Sequence, residues 1–236
     1  SLLDKFLLFA VKDTDEDEVR VTKLASLKMT LPSVIIEQTK IEVSSMVTMI
    51  EDVFLKLEES LKEKDKIAKY NDSIVEAEDK LDLYEKEIYD SNFSLLSKSL
   101  SKELIEDTRM NLLTCDEYET IGDYQNRIAN RLYMLYENSI ELDETRAKMT
   151  FKLHSLTVEL FNDISRAART GEKELYPIGI KKYQILKTYY KEVKREHFSR
   201  SENIPARLNT GYLDIINYYK RIADHTYNII EYVMKI

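Results

Sequence analysis

One acidic pattern occurs twice in this chain, and its spacing limits the architectures available. Residues 118–128 read Tyr118-Glu119-Thr120-Ile121-Gly122-Asp123-Tyr124-Gln125-Asn126-Arg127-Ile128, and residues 219–229 read Tyr219-Lys220-Arg221-Ile222-Ala223-Asp224-His225-Thr226-Tyr227-Asn228-Ile229. Asp123 and Asp224 stand 101 positions apart. Each has a small residue just before it, Ile two before, Ile five after and an Asn three or four after. A period this long implies duplication of a half-domain and not a short solenoid repeat.

What each half is made of follows from what is scarce. The 236 residues include only four Gly and three Pro, while 43% are hydrophobic and 33% charged. So few helix breakers imply long helices and exclude an all-β or α/β fold. A lone Cys115 excludes an internal disulfide framework and fits a reducing compartment. A net charge of −8 excludes wholesale neutralisation of nucleic-acid phosphates, so no nucleic-acid partner is expected.

Hydrophobic periodicity places six helices. Leu31-Pro32-Ser33 is a helix entrance with Pro near its first position, opening a helix over roughly 33–63 striped by Ile36, Val43, Met46, Ile50, Val53, Leu57 and Leu61. Over roughly 65–95, Ile67, Ile74, Leu81, Ile88 and Leu95 recur every seven residues. Ser97 to Ser101 supply turn and cap signals before a third helix that runs to about Asn138, some 60 Å at ~1.5 Å per residue. A fourth helix carries Leu142 to Ala167 and ends at Gly171. Pro177 and Gly179 blur the start of a fifth that runs towards Ser199, and Asn203-Ile204-Pro205 opens the sixth. The expected fold is all-α: two pseudo-symmetric antiparallel three-helix bundles, 31–138 and 139–236. The repeated motif lies on the third helix of each.

Residues 1–30 are expected to lie outside both bundles. Asp13-Thr14-Asp15-Glu16-Asp17-Glu18 is a like-charge block suited to an exposed linker. Leu2 to Val11 is apolar but carries Asp4 and Lys5, and falls short of the ~20 residues that cross a bilayer. It lacks the basic start and cleavage site of a signal peptide. The chain begins with Ser and not Met, so a fragment is expected, with this segment either a juxtamembrane remnant or a short surface helix.

The chemistry lies in the motif. At 100° per residue Glu119 and Asp123 project about 40° apart and some 160–200° from Ile121, off the Tyr118/Ile121/Tyr124 stripe. Two carboxylates four residues apart repel by a few tenths of a kcal/mol unless a cation sits between them. A hard cation or iron accepts such oxygen ligands. The competing reading is a solvated acidic face. Gly122 and Ala223 imply close approach of another helix beside each acid.

Glu119-Thr120-Ile121-Gly122-Asp123 with Ile128-Ala129, and Arg221-Ile222-Ala223-Asp224-His225 with Asn228-Ile229, resemble the duplicated acidic motif of PhoU-type proteins. The hydrophobic start, the acidic linker and Leu31-Pro32-Ser33 followed by Glu37-Gln38 and Met46 are similar to the cytoplasmic C-terminal PhoU-like domain of bacterial sodium/phosphate cotransporters. The resemblance spans roughly residues 31–236. It implies two three-helix bundles, a non-enzymatic role in regulating phosphate uptake, and iron or another divalent or trivalent metal held at Glu119, Asp123 and Asp224. Implied partners are the transporter's own transmembrane part, a nearby membrane surface or a second copy of the chain, at the cytoplasmic face of a bacterial inner membrane. The alternatives are a free-standing PhoU-type regulator of an ATP-driven phosphate importer and a purely structural helical scaffold. In one respect the chain departs from the family signature: Lys220 stands where an acid is expected. An ammonium offers a metal no lone pair, and pairing with Asp224 would put it in the cation's place. Asp82 is a candidate further ligand at the first copy.

Other chemistries find little support. His154, His197 and His225 are widely separated and none lies three residues after a Glu, against a ferritin-like di-iron bundle. There is no Gly-rich phosphate loop, and Cys115 without a placed His reads as a small helix residue. Lys191, Lys194, Arg195, Arg200 and Arg207 form a basic cluster able to meet phosphate or anionic headgroups, although most such clusters are solvated helix ends.

Overall fold

The computed structural model describes residues 20–27, 31–96, 100–200, 202 and 204–234. The apolar start and the acidic block lie outside the described residues. Six helices follow in order: α1 (Pro32–Lys62), α2 (Asp65–Leu96), α3 (Lys102–Glu137), α4 (Glu144–Thr170), α5 (Leu175–Ser199) and α6 (Ala206–Met234). No strand occurs among the described residues.

Local chemistry sets the helix ends. Pro32 opens α1, where its missing N–H would have had no helical partner. The Ser101 side chain accepts from the Leu104 N–H at 3.3 Å, and that of Asp143 accepts from the Arg146 N–H at 2.9 Å, capping α3 and α4. Gly171 closes α4 at φ 75°, a left-handed conformation that only Gly adopts without strain. The start of α5, which Pro177 and Gly179 blur in the sequence, lies at Leu175, ahead of both. Pro177 falls in its first turn, where no N–H is required, and Gly179 lets Ile164 and Ile230 approach its backbone.

Packing divides the helices three and three. Helices α1, α2 and α3 pack on one another, as do α4, α5 and α6. Between the halves α3 lies along α6, and α1 meets α4. Among the described residues α2 touches no helix of the second half, and α5 none of the first. The heptad residues Ile67, Ile74, Leu81, Ile88 and Leu95 are all buried. The halves share one core: Phe54 of α1 meets Phe161 of α4 edge-on at 5.3 Å between centroids, and Tyr118 of α3 meets Phe161 at 5.9 Å. Such aromatic pairs contribute about 1 kcal/mol each beyond area burial. Residues 20–27 pack on the first bundle, because Glu87 of α2 accepts from the Val21 and Thr22 N–H groups at 2.8 and 2.9 Å and Leu24 is buried.

Candidate functional site

Both copies of the motif lie in the middle of the α3–α6 seam. The two helices run antiparallel: Glu117 meets residues 225–232, Tyr124 meets Tyr218, Arg131 meets Asp214, and Leu135 meets Gly211. Tyr124 and His225 occupy equivalent positions in the repeat, and their rings touch with centroids 5.6 Å apart. A pseudo-twofold axis therefore passes between them. Duplication has placed both motifs beside this axis.

In the first copy, Gly122 explains how α2 comes so close. A Cβ at residue 122 would fall 2.2 Å from Cδ1 of Leu81, so only hydrogen fits without displacing that leucine. This is the close helix approach the sequence implies. It brings α2 carboxylates beside those of α3. Glu78 is pushed above the usual carboxylate range, first by burial and then by Asp82, Asp123 and Asp79. Asp123 holds Arg127, its own i+4 neighbour, through both oxygens, with Nε to Oδ1 at 3.0 Å and Nη2 to Oδ2 at 2.7 Å. Glu119 accepts from the Thr120 hydroxyl at 3.1 Å.

In the second copy, the place of the cation is filled from within. Lys220 pairs with Asp224 Oδ1, which also accepts from the Tyr183 hydroxyl at 2.7 Å. That hydrogen bond, together with burial as the larger cause, drives the Tyr183 hydroxyl far above its ordinary pKa. Tyr183 stacks on Tyr227 at 4.3 Å, and Lys220 and Lys187 lie over its ring at 5.6 and 5.4 Å. Tyr183 is the repeat counterpart of Asp82, and Lys220 that of Glu119.

The first copy therefore carries the hard oxygen donors a metal would need, and the second does not. Glu78, Asp82, Glu119 and Asp123 are all hard oxygen donors, and burial together with Asp82 and Asp123 raises the Glu78 carboxyl, a condition a cation would relieve. As they stand, no three His, Cys, Asp or Glu side chains converge to hold an ion among the described residues. Asp123 would first have to release Arg127. At Asp224, Lys220, Tyr183 and Gly179 stand where the first copy has Glu119, Asp82 and Glu78.

The sequence reasoning missed Glu117. It lies on α3 next to the motif, with its side chain 4% exposed. It accepts from His225 Nδ1 at 2.7 Å, Asn228 Nδ2 at 3.1 Å and the Tyr232 hydroxyl at 2.5 Å, all from α6. One buried carboxylate thus joins the two halves through three donors on successive turns. The Asp-Glu-Tyr run at 116–118 looks like any half-exposed helix face. Only the His-x-x-Asn-x-x-x-Tyr spacing on α6 hints at an acid facing it.

The remaining candidates are dispersed. Cys115 is fully buried, with Sγ 3.6 Å from Met46 Sδ, and burial pushes its thiol pKa well up. His154 bonds the Tyr219 hydroxyl at 3.1 Å, while His197 lies between Arg146 and Asn209 at 3.2 and 2.7 Å. In the basic cluster, Arg200 pairs with Glu196 at 2.5 Å and Arg207 donates to Asn138 at 2.8 Å. Lys194 lies over Tyr190 at 5.7 Å.

Two stacked three-helix bundles with an acidic motif at their pseudo-twofold seam define a duplicated helical domain of the PhoU type. The PhoU domain model matches residues 43–132 and 151–233, once per half and over more than half of the chain, so the chain belongs to the PhoU domain family. The phosphate transport system regulatory protein PhoU from Streptococcus pneumoniae superposes with a TM-score of 0.74 at 18% identity, covering 86% of this chain and 95% of its own. PhoU from Pseudomonas aeruginosa superposes with a TM-score of 0.77 at 17% identity, covering 84% of this chain and 94% of its own. At these identities the two structures establish the fold alone. No curated protein sequence matches the chain at a significant level. No helix among the described residues is long and apolar enough to cross a membrane.

Proposed function

We propose that this chain is a non-enzymatic regulator of phosphate uptake that acts by contact with a transport protein. The observation that carries this reading is the family match over both halves, in a family of phosphate-transport regulators. Coverage of 95% and 94% of two PhoU chains favours a free-standing regulator of an ATP-driven importer over the alternatives. A second reading, the cytoplasmic regulatory domain of a sodium/phosphate cotransporter beside its own transmembrane part and the inner membrane, is favoured by the apolar segment 2–11 and the acidic block 13–18. In either case the first copy of the motif is the proposed metal position. Glu119 and Asp123, joined by Glu78 and Asp82, would hold iron or another divalent or trivalent ion, which would bridge α2 to α3. Asp224 would keep its lysine.

Deleting the gene and measuring phosphate influx tests this reading. The expected result is influx that no longer falls when phosphate is plentiful. Excess influx independent of sodium supports the free-standing regulator, and excess influx abolished by sodium removal supports the cotransporter. Unchanged influx contradicts both.

A further inference from the structure

The halves also repeat one another where α1 packs on α3 and α4 on α6. Along α3 and α6 the offset is that of the motif, 101 residues. Along α1 and α4 it is 107, which sets Met46 on Leu153, Val53 on Leu160, Phe54 on Phe161 and Leu57 on Ile164, all buried. Phe54 and Phe161 touch one another, so this part of the repeat also meets at the pseudo-twofold axis.

One place in this repeat is packed in the second half and open in the first. In the second half His154, Tyr212 and Ile215 are buried there, His154 bonds Tyr219, and Lys62 lies over the Phe151 ring at 5.4 Å. The first half has Val47, Asn111, Thr114 and Ser44 at the positions of His154, Tyr212, Ile215 and Phe151, and Asp107 at that of Leu208. The result is a cleft of about 200 Å³ between α1, α3 and the end of α4. Protein interiors keep few voids larger than a water molecule, so space of this size beside a filled copy calls for an occupant. Thr114 lies nine residues before Asp123, about 180° around α3, so the cleft is separate from the proposed metal position.

Two polar side chains of the cleft are about nine-tenths buried and have bonding capacity left. Asn111, 8% exposed, donates one amide hydrogen to the Ile36 carbonyl at 3.2 Å. That bond fixes the orientation of the amide and leaves Oδ1 and the second hydrogen for the cleft. Thr114, 9% exposed, follows about one turn along α3, and its hydroxyl bonds no group among the described residues. Polar groups left unpaired away from water are costly, and a ligand that bonds them removes the cost. Val43, Val47 and Met110 supply apolar walls. Charges mark the two ends. Asp107 holds Lys40 at 3.3 Å at one end. About three turns along α3, by Tyr118, Arg169 meets Glu51 at 3.5 Å, the long limit of a hydrogen bond, and keeps most of its five donors.

We propose that this cleft binds an adenine nucleotide. An amide with one donor and one acceptor available pairs side by side with N7 and the N6 amino group of adenine. Guanine has an acceptor, O6, where adenine has that amino group, and would set it against Asn111 Oδ1. Thr114 takes a further ring nitrogen, and the apolar walls cover the faces of the base. Pockets that enclose a drug-sized ligand hold about 300–1,000 Å³. A cleft of about 200 Å³ therefore takes the base and leaves ribose and phosphate at the mouth. There the planar fork of Arg169 meets the phosphate, while Asp107 repels it from the other end, so the ligand enters in one orientation. Bound there, it would join α1 and α3 of the first half to α4 of the second. Binding does not depend on what the chain regulates.

Isothermal titration calorimetry on the full chain tests this, with adenosine monophosphate, adenosine, guanosine monophosphate and inorganic phosphate as separate titrants. A chelator keeps metal at the motif from holding the phosphate. Adenosine monophosphate should bind once per chain. Adenosine and guanosine monophosphate should each bind about tenfold or more weakly, since one lacks the charge that Arg169 meets and the other opposes Asn111. Inorganic phosphate should show no binding. Arg169→Gln should bring adenosine monophosphate down to the affinity of adenosine and leave adenosine unchanged, and Thr114→Val should weaken both. Ser44→Phe installs the side chain of the second half, closes the cleft and should abolish binding. Denaturant midpoints show whether each variant remains folded, and the two milder variants decide if Ser44→Phe does not. A wild type that binds no adenosine monophosphate overturns the proposal, as does binding that Arg169→Gln and Thr114→Val leave unchanged. Inorganic phosphate bound as tightly as the nucleotide also overturns it, because the base then contributes nothing.

Discussion

The two halves of this protein have the same backbone plan around the same aspartate, and differ in what surrounds it. Asp123 faces further carboxylates across the α2–α3 groove, where Glu78 is held above the usual carboxylate range. Asp224 faces Lys220 and Tyr183. A buried or half-buried acid requires a positive partner or a donor. The second half supplies it from Lys220 and Tyr183, whereas the first takes Arg127 from the next helical turn. The same aspartate is thus held by an arginine of its own helix in one half, and by a lysine and a tyrosine in the other.

The contact most able to break the pairing of the halves is one-sided too. Glu117 has Tyr218 as its repeat counterpart, so the three-donor clamp exists once. Glu117→Ala leaves His225, Asn228 and Tyr232 without their acceptor, and is expected to cost about 3 kcal/mol or more, because buried donors lose a charged partner. Urea unfolding should show the midpoint fall. An unchanged midpoint would mean that the seam is held by apolar packing alone.

The next largest asymmetry concerns acid. All three His residues fall in the second half. Burial holds His154 near pKa 4, against an ordinary 6.5. Its folded pKa is lowered, so the unfolded chain binds the proton more readily. Its stabilising contribution is complete above pH 6.5 and is lost as pH falls towards 4, by about 3 kcal/mol. Denaturant midpoints measured from pH 7 down to pH 4 should fall over that window, and less steeply in His154→Phe.

A smaller effect sharpens the comparison at the small residue. The second half has Ala223 where the first has Gly122, and Leu81 fills the missing Cβ position at residue 122. Gly122→Val should destabilise by about 1–3 kcal/mol, since Leu81 and α2 must shift. Differential scanning calorimetry would register this as a lowered Tm.

Much of this fold is legible in the sequence, because burial leaves a periodic trace. The seven-residue spacing of Ile67, Ile74, Leu81, Ile88 and Leu95 gives α2 its buried face, and Leu31-Pro32-Ser33 marks where α1 begins. The Lys220 substitution is equally visible, since a lysine four residues before Asp224 is within reach on any helix. Less accessible are contacts made by residues far apart in the chain. Glu117 has the local pattern of an exposed acid, and its donors lie more than 100 residues away. The unequal surroundings of Asp123 and Asp224 are written in the chain, yet they emerge only when the 101-residue offset is carried from the motif to α2 and α5. Asp82 then aligns with Tyr183, and the candidate ligand finds its replaced counterpart.

Metal stoichiometry tests the unequal copies most directly. The wild type, Asp123→Ala and Asp224→Ala would be purified metal-free, reloaded with ferrous iron or manganese, and analysed for bound metal. Bound metal should drop in Asp123→Ala and match the wild type in Asp224→Ala. Equal losses in the two variants, or no metal on any of the three, would contradict the account.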